Sequence, residues 1–321
     1  MKKKIILVAG DPNSINSEII FKCWKKLPKS IKKNIFLIAN IKLLKKQYKV
    51  LNYNVKLVEV KNIFETKYKN ELKVLNVKLD FKNPFKVSKK SSSKFVINSL
   101  TLAHNLGLEK NVAGIINCPI DKRLLNKNKI GVTEFLATKC KIKDDSEVMI
   151  IKNKKLIVSP ITTHSDIKSV SKRIKKDLIL KKVITINNWY KKRFFKKPKI
   201  AILGLNPHNA ELRKDAEEKK IIIPAIKNLK KNGLYADGPF VSDTIFIEKY
   251  NKYDVIVGMY HDQVLSPFKA IYKFDAINLT LGLKYFRVSP DHGIASDKVK
   301  KKISSPLSLL KCFEFFYKFN S

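Results

Sequence analysis

Short apolar runs alternate with longer amphipathic stretches from the start of this chain, and no other feature of the sequence limits its fold as strongly. "KKIILVAGD", "NIFLIAN" and "VKLVEV" have the near-continuous apolar character of strands buried on both faces. Between them, "INSEIIFKCWKKL" and "IKLLKKQYKVL" space their apolar side chains at helical intervals. This order predicts an α/β protein with a parallel sheet covered on both faces. The polar stretch "DFKNPFKVSKKSSSK" is expected to be a surface excursion, followed by a helix, "FVINSLTLAHNLGL", and a strand, "NVAGIINCP". "EVMIIKNKKLIVSPITTH" predicts two strands around a lysine-rich turn, and residues 167–195 one long helical segment. "PKIAILGLNPH", "YDVIVGMYHD" and "AINLTLGLKYFRVSPDHG" predict further strands, and "PLSLLKCFEFFYKF" a closing helix.

A chain of 321 residues can bury a full core as one large domain or two of ordinary size. Its formal charge of +40 suggests a polyanion partner. Arginine, the residue that grips phosphate bidentately, occurs only at Arg123, Arg173, Arg193, Arg213 and Arg287, whereas lysine is spread through almost every segment. The charge is therefore a compositional bias, and no specific nucleic-acid partner is expected. Cys23, Cys118, Cys140 and Cys312 form no CxxC pair, which fits free thiols in a reducing compartment. The first apolar run stops at Asp11 and Pro12, too short for a signal-peptide core, and no stretch reaches the roughly 18 apolar residues of a membrane helix. A cytoplasmic protein without a membrane partner is expected.

"VIVGMYHDQVLSPFK" ends a buried strand in His261, Asp262 and Gln263, three side chains that handle protons, where turn residues would be ordinary. The pattern of apolar strand followed by histidine recurs at Ile157–His164 and Ile200–His208. Parallel sheets gather the carboxyl ends of their strands along one edge, so the three residues can converge. Three imidazoles suit a catalytic zinc, cobalt, iron or manganese ion better than a magnesium cage. The plainer reading is three separate hydrogen-bonded histidines near strand ends. His104, inside a helical pattern, reads as a core or surface histidine. His292 precedes Gly293, where backbone can approach a ligand closely, or a turn without function can form.

The order "GDP…E", "P..K", "TEFLA", "TTH", "GLNPH..E", "GP…DT.F", "MYHDQ", "K", "N.TLGL…R", "DHG.A" runs from Gly10 to about Ala295. It resembles the PdxA family of pyridoxal phosphate biosynthesis, the 4-hydroxythreonine-4-phosphate dehydrogenases. The resemblance implies an isocitrate/isopropylmalate dehydrogenase-like fold, two α/β/α subdomains with the active site in the cleft between them. Residues 1–130 and 285–321 would form the first, on the cofactor side, and 131–284 the second, with the metal site and dimer contacts. It implies a homodimer that shares a divalent metal between subunits, zinc, cobalt, magnesium or manganese, with His164, His208 and His261 as ligands. Thr133, Lys269, Asn278 and Arg287 are implied to bind a phosphorylated hydroxy amino acid. The cofactor implied is NAD, with NADP as the alternative.

Absence of GxGxxG and GxxxxGK[ST] disfavours a Rossmann dinucleotide site and a P-loop. It fits the resemblance, which assigns His292, Gly293 and Ala295 to the cofactor loop. Asp243 and Asp262 are the candidates for proton transfer or for orienting the ligands, with helix caps or turn carboxylates as the plain reading. Two departures stand out: Val132 replaces the family's usual histidine in "GHTEFLA", and "GDPNSINSE" replaces a glycine-rich loop. Val132 leaves open a dehydrogenase of another phosphorylated hydroxy acid, such as threonate or erythronate 4-phosphate. A basic nucleic-acid-binding protein without catalysis is the reading from a different class.

Overall fold

The computed structural model describes residues 3–65, 67–68, 70–125, 131–142, 146–163, 165–273 and 275–317. The chain divides into two compact units, Met1–Lys141 with Leu283–Ser321, and Ile142–Gly282. Thr133 therefore belongs to the first unit.

In chain order the first unit begins with β1 (Lys4–Val8), α1 (Asn16–Lys26), α2 (Lys29–Lys32), β2 (Ile35–Ala39), α3 (Ile41–Leu51), β3 (Leu57–Val60) and β4 (Leu72–Asn76). It continues through α4 (Lys89–Gly107), β5 (Val112–Asn117) and α5 (Val132–Lys139). The second unit holds β6 (Val148–Lys152), β7 (Ile157–Thr162), α6 (Ile167–Arg173), α7 (Lys176–Phe194), β8 (Lys199–Leu203), α8 (Ile223–Lys231), β9 (Tyr235–Phe240), α9 (Ser242–Glu248), β10 (Val255–Tyr260), α10 (His261–Tyr272) and β11 (Ile277–Leu281). The chain then returns to the first unit as β12 (Arg287–Pro290) and α11 (Leu307–Phe316).

The first unit's strands follow the order β3-β4-β2-β1-β5-β12, every neighbour parallel, as the apolar runs predict. Ile5, Ile6, Val8, Ile35, Leu37 and Ile38 are fully buried, as strands covered on both faces require. Asn40 starts α3 by accepting from the Leu43 N–H at 2.9 Å, and Asn52 ends it in the left-handed conformation. The second unit is ordered β11-β6-β7-β10-β8-β9. There β6 is antiparallel to both β11 and β7, whereas β7, β10, β8 and β9 run parallel. Ile151, Val158, Leu203, Ile256, Val264 and Phe268 belong to its core.

Three expectations are corrected. The end of the polar stretch is helix, because Ser88 caps α4 by accepting from the Ser91 N–H at 3.2 Å, so "KKSSSK" forms its first turns. The long helical segment is two helices, since Ile174 turns extended at ψ 118° between α6 and α7. "AINLTLGLKYFRVSPDHG" is two strands, broken at Gly282 with φ +86°. Two strands carry no clear signal in the sequence. β4 carries Lys73 inside its apolar run, and β9 contains Gly238 and Pro239, which a strand tolerates best at an edge.

The loop after β1 answers the question its missing glycines raise. Asn13 exchanges two hydrogen bonds with Val87, at 2.9 and 2.8 Å, and Ser14 Oγ donates to the Asp11 carbonyl at 2.6 Å. Asn16 Nδ2 donates to the Pro119 carbonyl at 2.8 Å. Side chains thus hold the backbone, and in this loop only Gly10 needs positive φ, at +75°. A Cβ there would lie 2.6 Å from the Pro119 carbonyl oxygen. Glu18, 2% exposed, accepts from Lys22 Nζ at 2.7 Å and from the Ser304 N–H at 2.8 Å, so its task is to tie α1 to the segment before α11.

Candidate active site

Strands β7, β10 and β8 lie side by side in that order and run parallel. Their carboxyl ends share one edge, and each leads into a histidine-bearing segment. β7 ends at Thr162, whose Oγ1 donates to the Met259 carbonyl of β10 at 2.8 Å. His164, two residues beyond, lies outside the described residues.

His261 opens α10, and its Nδ1 sits 2.7 Å from Asp262 Oδ1. A carboxylate at Nδ1 favours the tautomer that keeps its proton there and its lone pair on Nε2, the form in which imidazole binds metals. Gln263 explains the third polar residue after β10. Its Oε1 accepts from the Met259 N–H at 2.6 Å, and its Nε2 donates to the Gly204 carbonyl at 2.7 Å and to Ser242 Oγ at 2.6 Å. One buried amide therefore links the segments that follow β8, β9 and β10.

His208 stands on unusual backbone. From His208 to Leu212 five successive non-glycine residues have φ between +48° and +58°. Left-handed backbone costs about 1–2 kcal/mol per residue, so its neighbours must hold it. Glu218, fully buried, does so from below: Oε1 accepts from the N–H groups of Leu205 and Asn206 at 2.7 and 2.8 Å. Asn206 Nδ2 donates to Glu218 Oε2 at 3.0 Å and to Glu217 Oε2 at 2.9 Å. The hydrogen bond from Ser171, opposed by desolvation, holds the Glu217 carboxyl below its ordinary range. Beyond the histidine, Asn209 Nδ2 donates to the Pro239 carbonyl at 3.0 Å. Gly204 is required here because a Cβ would fall 2.0 Å from Asn209 Oδ1. The His208 side chain is 73% exposed, with Nδ1 3.9 Å from Glu211 Oε1.

Three more candidates lie in this unit. Asp243 is exposed in the first turn of α9. Lys269 is half-buried near the end of α10. Asn278 is on β11, and its Oδ1 is buried with no hydrogen-bond partner, an acceptor that a bound donor would satisfy. Among the described residues no group of three or more His, Cys, Asp or Glu is placed to hold a metal ion. The donor chemistry of His261 with Asp262 nevertheless fits a metal ligand with its orienting carboxylate.

The remaining candidates belong to the first unit. Thr133 is buried in the first turn of α5, just after Val132, where N–H groups without helical partners face outward. Arg287 is 4% exposed, and its Nε donates to Asn117 Oδ1 at 2.6 Å. Burial pulls the guanidinium down to about 10, partly opposed by Glu134, so it stays charged at neutral pH. After β12 the chain passes through His292, Gly293 and Ala295. The His292 Nδ1 donates to the Gly293 carbonyl at 3.0 Å, Ala295 is left-handed at φ +44°, and a Cβ on Gly293 would meet no atom within 4 Å. The Ile294 carbonyl accepts from the Ile15 N–H at 3.3 Å, joining this turn to the loop after β1. His104 is a core histidine: its Nδ1 lies 2.9 Å from Tyr285 Oη, in agreement with one of its two expected placements.

The family model described as "Pyridoxal phosphate biosynthetic protein PdxA" matches residues 31–315. The chain belongs to the PdxA family. A curated relative, the 4-hydroxythreonine-4-phosphate dehydrogenase of Sulfurihydrogenibium sp. (strain YO3AOP1), is 37% identical over 97% of this chain and 96% of its own. The crystal structure of 4-hydroxythreonine-4-phosphate dehydrogenase from Klebsiella pneumoniae superposes with a TM-score of 0.84 at 26% identity, covering 98% of each chain. Isocitrate dehydrogenase from Methylococcus capsulatus, at 10% identity and TM-score 0.52 over 98% of this chain and 85% of its own, shares the fold alone. The isocitrate dehydrogenase-like α/β class expected from the motifs is therefore the observed one. The PdxA family acts in pyridoxal phosphate biosynthesis and is a family of oxidoreductases, so the chain is an enzyme of that class. A non-catalytic nucleic-acid-binding protein is set aside.

The strand-then-histidine pattern and the PdxA motifs both point to His208 and His261 but not to Glu218, Asn209 or Asn117. "NAELRKDAEEKK" does contain a signal for Glu218, an acidic pair shortly after an Asn-Pro turn. In so polar a stretch nothing marks one carboxylate as buried. Among the described residues no helix is long and apolar enough to cross a membrane.

Proposed function

We propose that this chain oxidises and decarboxylates 4-hydroxythreonine 4-phosphate with NAD, or NADP as the alternative, and that it works as a cytoplasmic homodimer with a divalent metal shared between subunits. The observation that carries the reading is the side-by-side, parallel placement of β7, β10 and β8, the strands that lead to His164, His261 and His208 respectively. Four buried, free thiols suit a reducing compartment.

In the overall reaction the carbon bearing the secondary hydroxyl gives a hydride to NAD⁺ and the hydroxyl loses its proton. The resulting β-keto acid releases carbon dioxide and leaves 3-amino-2-oxopropyl phosphate. A divalent ion held by the three histidines, zinc, cobalt, magnesium or manganese, would supply Lewis acidity toward the hydroxyl oxygen, and NAD would supply the hydride acceptor. Asp262 fixes the ring of His261, and Asp243 or Asp262 is the carboxylate that moves the proton. Thr133, Lys269, Asn278 and Arg287 are assigned to the substrate. Arg287 brings a charge that persists in burial, and Asn278 Oδ1 an acceptor suited to an ammonium group. His292, Gly293 and Ala295 are assigned to the dinucleotide, for which Gly293 leaves open space.

Metal analysis of the purified protein, with NADH formation followed on 4-phosphooxy-threonine, tests the reading. Stoichiometric metal and metal-dependent NADH are expected; turnover that persists after chelation, or no turnover with any divalent ion, would overturn it. Val132, at the first position of α5 beside Thr133, favours a second reading. It lacks the donor that the usual histidine offers, and the substrate would then be threonate or erythronate 4-phosphate. Turnover compared across the three phosphates separates the two.

A further inference from the structure

We infer that Glu218 is a positioning residue for His208, holding its left-handed turn in the geometry a metal ion requires. The inference rests on the proposed metal reading and concerns a residue that this reading leaves without a role. Glu218 is fully buried, yet among the described residues no Lys or Arg pairs with it; its partners are the N–H groups of Leu205 and Asn206 and the amide of Asn206. All three belong to the two residues that precede Pro207 and His208. Nδ2 of Asn209, on the other side of the histidine, is anchored to the Pro239 carbonyl. The residue is therefore clasped on both sides while its ring stays exposed.

Such a clasp has a specific use. Left-handed turns of non-glycine residues revert to ordinary backbone unless neighbouring contacts determine them, and strain of this kind gathers where a side chain must be aimed. A carboxylate that takes up two backbone N–H groups before a ligand fixes the direction of its Cα–Cβ bond, as a carboxylate on an imidazole N–H fixes the ring. Glu218 acts here on the backbone of His208 as Asp262 acts on the ring of His261. It acts through the backbone and is itself neither a proposed metal ligand nor a proposed substrate contact.

The test is Co²⁺ titration of the 321-residue protein, read by calorimetry and by the visible absorption of the bound ion. Glu218→Ala is expected to weaken Co²⁺ binding on the order of 10–100-fold and to alter the spectrum, whereas Glu218→Gln, which still accepts through its carbonyl oxygen, restores most of the affinity. His208→Ala weakens binding in its own right, and the double variant with Glu218→Ala is no weaker than His208→Ala alone. Should Glu218→Ala fail to fold, Asn209→Ala carries the test, with the same direction expected. Wild-type affinity in both Glu218→Ala and Asn209→Ala, or an additive loss in the double variant, would overturn the inference. Unchanged affinity in His208→Ala would instead overturn the metal reading, and the inference with it.

Discussion

Nδ1 of His261 and Oδ1 of Asp262 lie 2.7 Å apart, a close pair made by adjacent residues at the start of one helix. The Asp262 carboxylate is 74% exposed, so as an isolated ion pair it would add little stability. Its effect is to choose the tautomer and angle of the ring. Asp262→Asn should therefore leave the free energy of unfolding within about 1 kcal/mol of the parent and lower divalent-metal affinity about 10-fold or more. Calorimetric titration with Zn²⁺ measures the second quantity and urea unfolding the first. Equal metal affinity in the two proteins would show that the carboxylate does not orient the ring.

Gln263 makes the opposite prediction. Its amide is buried and satisfies Met259, Gly204 and Ser242 together, so Gln263→Ala leaves an N–H and a carbonyl without partners and opens a cavity. A loss of about 2–4 kcal/mol is expected in urea unfolding. Gln263→Glu keeps the acceptor for Met259 but loses both donations and buries a charge, so it should be at least as damaging. A neutral Gln263→Ala would mean that the three segments are held together without it.

How much of this was legible beforehand follows from where each signal lies. In the first unit β1, β2 and β5 were readable because each carries a continuous apolar run, whereas Lys73 hid β4, and His208 and His261 stood out because histidine is rare in this chain. The break between α6 and α7 was not readable, since no Gly or Pro marks Ile174 and only a backbone turn ends the helix there. β9 was hidden by Gly238 and Pro239, residues that argue against a strand except at an edge. The turn at His208 was hidden for a different reason: nothing in "HNAEL" requires positive φ, and the contacts that impose it come from Glu218 and from Pro239. Local sequence reports propensity, and these features are set by tertiary contacts.

Lys73 gives the protein a pH dependence unrelated to catalysis. It is fully buried on β4, its Nζ donates to the Lys33 carbonyl at 2.5 Å, and it lies 4.4 Å from the centre of the Phe36 ring. Burial, with some repulsion from Lys4, pulls its ammonium down to about 8. The unfolded chain keeps this proton up to roughly pH 10.4. Between these values the unfolded state binds more protons than the native one, so the contribution of Lys73 to stability rises with pH, by at most about 1.4 kcal/mol per unit. Below about pH 8 the penalty of the buried charge is constant. Lys73→Met should be more stable than the parent at neutral pH, and the difference should shrink as pH rises towards 10. Urea midpoints for both proteins across this range check it, and a pH-independent difference would place the origin elsewhere.

Val132 offers a test in the direction of gain. It is the first residue of α5, immediately before Thr133, and cannot donate a hydrogen bond. An imidazole there would be held neutral by the positive end of the helix and could donate to a phosphorylated substrate. One added hydrogen bond of this kind contributes about 0.5–1.5 kcal/mol, so Val132→His should lower KM for 4-phosphooxy-threonine roughly 2–10-fold. The contact would form with ground state and transition state alike, and kcat should therefore change little. Steady-state kinetics on 4-phosphooxy-threonine and on threonate 4-phosphate, for both proteins, decide the matter. A fall in KM confined to 4-phosphooxy-threonine would mean that the missing donor is a defect toward that substrate; a rise in KM for both would mean that the start of α5 is shaped around the smaller side chain.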